Sequence, residues 1–478
     1  MPKKTTSTMP ANTAKPRGKA LLADTIGPSL CQRQSSLARD QTASVAPHAL
    51  DPSSSFDRKS PASQWLTVPG QQLPGSATTS SETLTTESHN ETALFNRSSP
   101  PSESDRSSKS SNSSKPARIV SLGGRAMEQD VARLASEYGL PSQMGLLDPS
   151  YTIFVSEGGH GGLCFKVLNK VTVVMGDPMC HPSQIPALMG EFKLYRRRKG
   201  WRMAVLGAGE SLVQYYTSRK RKSTILQFGY NRVLNPLTND IIHEKSGKRL
   251  LTQNRQLLNL NKGGLTLAIY TPSLDGTDYK LEWGLSSIYH EWCIARNSKA
   301  SSSNKPQAFI TEYDPFLMPS LMTYIYARDK EGTIVGFAAL RWAGLKDGYH
   351  LDPCIAAPDT KQKGITDLLL FAAMAYLRQL NISYLSVGYE PSDSIPEHST
   401  TPLAHLTDIL YRYTYQRLPL SGKKAYFDKF RPDEEQSEPV YLIFPSRVPR
   451  PRDVVAVAHV ANIRIRTLVF HGGRPAGS

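Results

Sequence analysis

A strand, a basic turn, an amphipathic helix and a further strand follow one another between residues 349 and 387, and this unit constrains the fold more than any other stretch. Residues 349–354 predict the first strand. After a turn that contains Lys363 and Gly364, apolar residues recur at steps of three and four over 365–380, as in an amphipathic helix. Residues 382–387 predict the next strand. In such a crossover the helix N-terminus offers free N–H groups to a phosphate or an ester.

The same order of elements occurs once before. The earlier elements are strands over 151–155, 162–168 and 170–175, a helix over 185–199 and a strand over 201–206. A hairpin over 322–342 leads into the later unit in the same way. The repetition predicts an α/β protein with two tandem copies of one fold, over residues 117–275 and 276–446.

Two segments lie outside this repeat. Residues 1–116 are rich in Ser, Thr and Pro and have few large apolar side chains, so they are expected to be disordered. Residues 447–478 form a basic tail. Its apolar stretch, 454–470, is expected to form either an interfacial helix on a membrane or an additional core helix.

Composition narrows the class of protein. The formal net charge is +16 and the pI about 9.5, which favours an anionic partner, either a nucleic acid or an acidic membrane surface. The five cysteines show no C-x-x-C spacing, so neither a disulfide framework nor a metal site is expected. No apolar run is long enough for a membrane-spanning helix, and no secretory signal is recognisable. A cytoplasmic location is expected.

Six short motifs occur in an order that is typical of one family. They are Gly176–Pro178, Glu291–Trp292, Ile334–Phe337, Leu351–Pro353, Lys363–Leu369 and Lys429–Pro432. Together they resemble the C-terminal catalytic domain of the aminoacyl-tRNA-dependent lipid aminoacyltransferases, over residues 118–446. The resemblance implies two tandem domains with the N-acetyltransferase-like (GNAT) fold. It also implies acyl transfer to a lipid hydroxyl, with charged tRNA as co-substrate and no further cofactor.

The acceptor is indicated by a departure from the bacterial pattern. The bacterial aminoacyl-phosphatidylglycerol synthases have an arginine three residues after the aspartate of this strand, whereas Ile355 follows Asp352 here. The chain also lacks their multi-pass membrane domain. It is more similar to the free-standing fungal sterol aminoacyltransferases, which implies peripheral membrane association, ergosterol as acceptor, glycyl-tRNA as donor and a synthetase supplied in trans. Phosphatidylglycerol as acceptor and a non-catalytic tRNA- or membrane-binding protein are the alternatives.

An acetyl-CoA-dependent enzyme is a further class that this fold allows. The GNAT acetyltransferases bind the pyrophosphate of CoA in an Arg/Gln-x-x-Gly-x-Gly/Ala turn. Residues 362–366 lack that spacing. The sequence therefore does not favour CoA as a co-substrate.

The catalytic candidates surround the central strand. His350 and Asp352 are two residues apart and are expected on one face of the strand, where one would act as general base and the other would orient it. Structural roles, such as pairing with a neighbour or capping a turn, are the alternative. Lys429 is the third candidate. The substrate-binding candidates are Glu291 for the substrate ammonium, Arg255, Lys363, and Asp177 at its turn. Each of the three cations, Arg255, Lys363 and Lys429, would bind either the phosphates and ribose of the CCA end of tRNA or the oxyanion.

Two basic runs are candidates for contact with the tRNA backbone, because phosphate contacts supply most of the non-specific affinity for nucleic acids. They are Arg196, Arg197, Arg198 and Lys199, and Arg219, Lys220, Arg221 and Lys222. A solvated surface is the alternative interpretation of each run.

Overall fold

The computed structural model describes residues 20–43, 117–122, 129–220, 222–301, 313–391 and 421–462. The helices are α1 (Leu22–Ala43), α2 (Gln129–Tyr138), α3 (Ile185–Arg198), α4 (Glu210–Thr217), α5 (Lys248–Leu258), α6 (Pro272–Asp275), α7 (Tyr279–Ser301), α8 (Ile365–Gln379), α9 (Ser421–Asp428) and α10 (Pro451–Val460). The strands are β1 (Arg118–Ser121), β2 (Thr152–Val155), β3 (Gly162–Leu168), β4 (Val171–Met175), β5 (Arg202–Ala208), β6 (Thr224–Leu234), β7 (Thr266–Tyr270), β8 (Met322–Arg328), β9 (Ile334–Ala343), β10 (Gly348–Ala356), β11 (Leu385–Pro391) and β12 (Glu438–Phe444).

These strands form one twelve-stranded sheet in the order β1-β2-β3-β4-β5-β12-β6-β11-β10-β9-β8-β7. In each half of the sheet three antiparallel strands are followed by a helix and a parallel fourth strand. The first copy is β2-β3-β4, α3 and β5, and the second is β8-β9-β10, α8 and β11. The predicted α/β fold with a repeated GNAT-like unit is confirmed.

The two halves of the sheet are not contiguous in the chain. β6 follows the first copy in sequence but pairs with β11 of the second, while the last strand, β12, pairs with β5 of the first. β7 lies within residues 117–275, the first predicted domain, yet it pairs with β8 of the second copy at the far edge of the sheet. A cut between residues 275 and 276 therefore does not separate the halves, because backbone hydrogen bonding in the sheet exchanges strands between them.

Helix α8 is more buried than a one-sided amphipathic helix. Eleven of its residues are buried, including Leu370, Phe371 and Met374. A helix that is apolar on nearly every side needs cover on both sides. The sheet covers one side of α8, and α1 packs against another, since Ala23, Ile26 and Leu30 share its apolar cluster.

Helix α1 contradicts part of the disorder expected over residues 1–116. Its three buried side chains are spaced three and four residues apart, which places them on one face. Gly27 allows close approach, because a Cβ there would lie 2.6 Å from the carbonyl oxygen of Ala375. Averaging the composition over a long polar segment concealed this short apolar face. The rest of 1–116 lies outside the described residues.

Helix α10 decides between the two alternatives for part of the basic tail. Ala456 and Val457 are buried against the strands, and Arg202 of β5 forms a bidentate ion pair with the buried Asp453. For residues 451–460 the alternative of an additional core helix is therefore correct. Residues 463–470 lie outside the described residues. No helix within the described segments is long and apolar enough to cross a membrane.

Candidate active site

The central strand β10 holds His350 inside a hydrogen-bond network. His350 is buried, and its Nδ1 lies 3.1 Å from Oγ of Ser386 on β11. Ser386 donates to Oδ1 of Asn231 at 2.6 Å, and Nδ2 of Asn231 donates to the hydroxyl of Tyr384 at 2.8 Å. These bonds connect β10, β11 and β6. They fix the imidazole within the sheet.

Asp352 lies where the pairing of β10 with β9 shifts register, between Leu351 and Cys354. It is half-buried, whereas His350 is buried. Tyr289 of α7 and Tyr313 lie in its electrostatic surroundings. Burial is the main cause of the raised pKa of Tyr313, and the neighbouring Asp352 raises this pKa further. The rings of Tyr289 and Tyr313 are 5.1 Å apart. Asp352 is thus a carboxylate at the edge of an aromatic cluster under α7.

Arg341 of β9 belongs to the same surroundings and was not singled out from the sequence. It is opposite His350 in the register and is 1% exposed. Burial lowers its pKa to about 10, while Tyr313, Tyr389 and Asp352 oppose this shift. The signal that could have found it is a single charged residue in the otherwise apolar stretch 334–343.

Lys429 lies beside the N-terminal turn of α8. Its Nζ is 2.6 Å from Oδ1 of Asp367 and 4.1 Å from the ring centre of Tyr426. The pKa of Cys354 is raised, mainly by burial. The charge of Asp352 raises this pKa further, and the charge of Lys429 opposes the shift. Cys354 is therefore within electrostatic reach of both Asp352 and Lys429.

Lys363 is exposed on the turn before α8, next to α5. Nε2 of Gln253 on α5 donates to its carbonyl oxygen at 2.8 Å. The outer face of α5 carries a surface pocket of about 450 Å³, lined by Lys248, Arg249, Thr252, Gln253 and Gln256. Lys363 thus lies at a basic and polar surface made by two elements.

Arg255 and Glu291 have other surroundings. Arg255 of α5 pairs with Glu244, which also accepts from the backbone N–H of Leu22 at 2.8 Å. This contact helps to hold the start of α1, so the guanidinium is engaged in structure. Glu291 is exposed on α7, and the adjacent Trp292 packs partly buried against the aromatic cluster.

Asp177 accepts a hydrogen bond from the N–H of Gly209 at 2.7 Å, at the start of α4. It is buried, and burial raises its pKa to about 6 although this bond opposes the shift. A carboxylate at a helix N-terminus satisfies an otherwise unpaired donor. The contacts of Asp177 match a structural role at the turn.

The sequence profile of the family described as phosphatidylglycerol lysyltransferase, C-terminal, matches residues 133–444. The chain belongs to this family. The resemblance drawn from the six motifs is confirmed at this level, and so is the predicted acyltransferase. No match was found among curated protein sequences.

Two solved structures are similar to this chain. L-PGS from Bacillus licheniformis has a TM-score of 0.53 at 16% identity, covering 70% of this chain and 98% of that one. The C-terminal domain of a putative lysylphosphatidylglycerol synthetase from Agrobacterium fabrum has a TM-score of 0.49 at 18% identity, covering 65% and 88%. The likeness to the Bacillus structure shows a shared fold.

In this family member the two basic runs lie at the ends of neighbouring helices, α3 and α4. Tyr216 lies within electrostatic reach of both Arg196 and Arg219. Arg196 is turned inward and donates to the carbonyl oxygen of Trp201 at 3.0 Å. The exposed members are Arg197, Arg198, Lys199, Arg219, Lys220 and Lys222, and Arg221 lies outside the described residues. We call these six side chains the basic surface.

Proposed function

We propose that the protein transfers an aminoacyl group, glycine, from aminoacyl-tRNA to the 3β-hydroxyl of ergosterol. The observation that carries the proposal is the half-buried carboxylate of Asp352 beside the buried charge of Arg341, in a fold that belongs to a lipid aminoacyltransferase family. A carboxylate of this kind is suited to general-base catalysis, because it is accessible yet partly shielded from water.

The reaction needs no external energy source, since the aminoacyl ester of tRNA is already activated. Asp352 takes the proton of the acceptor hydroxyl while the hydroxyl oxygen attacks the carbonyl carbon of the ester. The tetrahedral oxyanion then collapses, and the bond to the ribose oxygen breaks. The ribose oxygen leaves with the electron pair and receives the proton from Asp352. His350, which is held by Ser386, keeps β10 in place during this exchange.

Glycine, and a sterol instead of a phospholipid, come from the resemblance to the free-standing fungal members. The residue three positions after Asp352 also favours the sterol. Ile355 is 2% exposed and belongs to the apolar cluster under α7. It gives a phosphodiester no charge partner, which favours an uncharged acceptor such as a sterol. Phosphatidylglycerol remains the alternative acceptor.

The basic surface supports the assignment of tRNA as donor. Its side chains come from the ends of two adjacent helices and are solvent-exposed, as phosphate-binding residues must be. The C-terminal position of the first run also suits the negative end of the α3 dipole. The net charge of +16 supports attraction to tRNA and to an acidic membrane surface, where the lipid acceptor would be reached peripherally.

A lipid-extraction assay tests the proposal. The full chain is incubated with ergosterol-containing vesicles, bulk tRNA, aminoacyl-tRNA synthetases and one labelled amino acid at a time, with and without ribonuclease. We expect a glycyl sterol that disappears with ribonuclease. A labelled phosphatidylglycerol would refute the sterol and retain the transferase. Folded protein that labels no lipid with any amino acid would refute the transferase and favour a binding protein.

A further inference from the structure

The guanidinium of Arg341 is satisfied only in part by the chain around it. Nη2 donates to the carbonyl oxygens of Leu140 and Pro141 at 3.0 and 3.3 Å. Within the part of the chain that the structure describes, Nη1 is buried without a hydrogen-bond partner. A buried charged donor without an acceptor is costly, because it has lost its hydration and gained no hydrogen bond in return. Such an atom is therefore expected to meet an acceptor that binds from outside.

A purely structural role does not account for this arrangement. Holding the carbonyl oxygens of Leu140 and Pro141 requires N–H donors but no positive charge, and a neutral side chain would avoid much of the desolvation cost. The surroundings instead preserve the charge, since Asp352, Tyr313 and Tyr389 all favour the charged form. The protein therefore maintains a dry, positively charged donor next to the proposed general base.

We propose that Arg341 binds the carbonyl oxygen of the aminoacyl ester through Nη1 and stabilises the oxyanion that forms there. This inference rests on the proposed function. The register supports it, because Arg341 is opposite His350 on the paired strand and so shares its sheet face, and His350 is two residues before Asp352 in the chain. Asp352 also lies within electrostatic reach of Arg341. When the acceptor oxygen attacks the carbonyl carbon, the π electrons move onto the carbonyl oxygen, which Arg341 stabilises. They return to re-form the carbonyl bond when the ribose oxygen leaves. Arg341 exchanges no proton.

Arg341→Gln is the decisive variant. Its amide keeps a polar donor on a side chain that is two bonds shorter, but the charge and the guanidinium donors are lost. Removing one oxyanion donor typically lowers kcat about 100- to 1,000-fold, and we expect a loss in this range with the KM for tRNA changed less than about threefold. Arg328→Gln is the control on neighbouring β8, where the arginine also donates to a backbone carbonyl, that of Gly332. We expect the control to keep its kcat.

A folded Arg341→Gln enzyme that keeps kcat within about threefold of wild type overturns the inference. Added guanidinium ion should partly restore the rate of the folded variant, which a structural loss alone would not allow. A folded but slow variant that guanidinium does not improve assigns Arg341 to structure and also overturns it.

If the variant does not fold, a measurement on the wild-type protein decides. An adenosine 3′-aminomethylphosphonate ester, which carries negative charge at the reacting centre, should inhibit at least about tenfold more strongly than the matching neutral glycyl amide, because it resembles the oxyanion. Equal inhibition overturns the inference. A wild-type protein that forms no aminoacyl lipid refutes the proposed function, whereas an active wild type with an unaffected Arg341→Gln variant refutes only the role of Arg341.

Discussion

Replacing Asp177 by Asn should remove a pH dependence of stability that originates at the turn before α4. Burial raises the pKa of the Asp177 carboxyl to about 6, from an ordinary value of 3.8. The folded state therefore binds this proton more tightly than the unfolded state does. It follows that the free energy of unfolding decreases as the pH rises through this window and levels off above the folded-state pKa. Asn has the same size and can still accept from the N–H of Gly209.

The magnitude follows from the two pKa values. Between pH 4.5 and pH 7.5 the Asp177 carboxyl should lower the free energy of unfolding by about 2 kcal/mol, because most of its shift lies within that range. The variant loses this term and keeps every other titrating group. The difference between wild type and Asp177→Asn should therefore change by about 2 kcal/mol in favour of the variant as the pH rises.

Urea unfolding followed by tryptophan fluorescence, at intervals across this pH range, gives the difference directly. The exposed Asp359→Asn is the control and should run parallel to wild type. Parallel curves for Asp177→Asn would refute the reasoning, because they would show that the carboxyl does not hold its proton more tightly in the folded protein. Such a result would leave the hydrogen bond to Gly209 as the only role of this side chain.

Three further outcomes are expected. Leu30→Ala should lower the free energy of unfolding by about 2–5 kcal/mol, because Leu30 is buried against α8. The control Ser29→Ala, at an exposed position, should change it little. Equal effects of the two substitutions in urea unfolding would contradict the packing of α1. Asp352→Asn should lower kcat by about 100-fold or more with tRNA binding retained, while Asp359→Asn stays active; full activity of both would exclude Asp352 as the base. Replacing the six residues of the basic surface by Gln should reduce the slope of log affinity for tRNA against log salt concentration by about 5, since each lost phosphate contact contributes about 0.7–0.9. An unchanged slope would exclude this surface as the tRNA-binding site.

The repeated unit could be predicted because its elements carry strong local patterns. The strands 162–168 and 171–175 and the helix 185–198 lie within one residue of their predicted bounds. The exchange of β6 and β12 could not be predicted, because it depends on which strand edges meet after the chain has folded. No local pattern distinguishes a strand that pairs with its sequence neighbour from one that pairs about two hundred residues away.

Only part of the candidate site could be proposed from the sequence. Asp352 and Lys429 were singled out because they occur in motifs of the family, and both lie within electrostatic reach of Cys354. Arg341 was missed because a single arginine in an apolar strand has no motif, and only burial and an incomplete set of hydrogen bonds make it notable. Arg255 was predicted to bind substrate, yet its ion pair with Glu244 could be seen only once α5 and the 244 turn lay together.

The exchange of β6 and β12 also sets the order in which this protein can be completed on the ribosome. When the chain has been translated through β7, the edge of β5 still lacks its partner, since β12 is one of the last elements to be made. An unpaired strand edge is prone to pair with the wrong chain, so the early-synthesised half is at risk until residue 444 has left the exit tunnel. The first half can close only after translation has passed the second copy and reached β12.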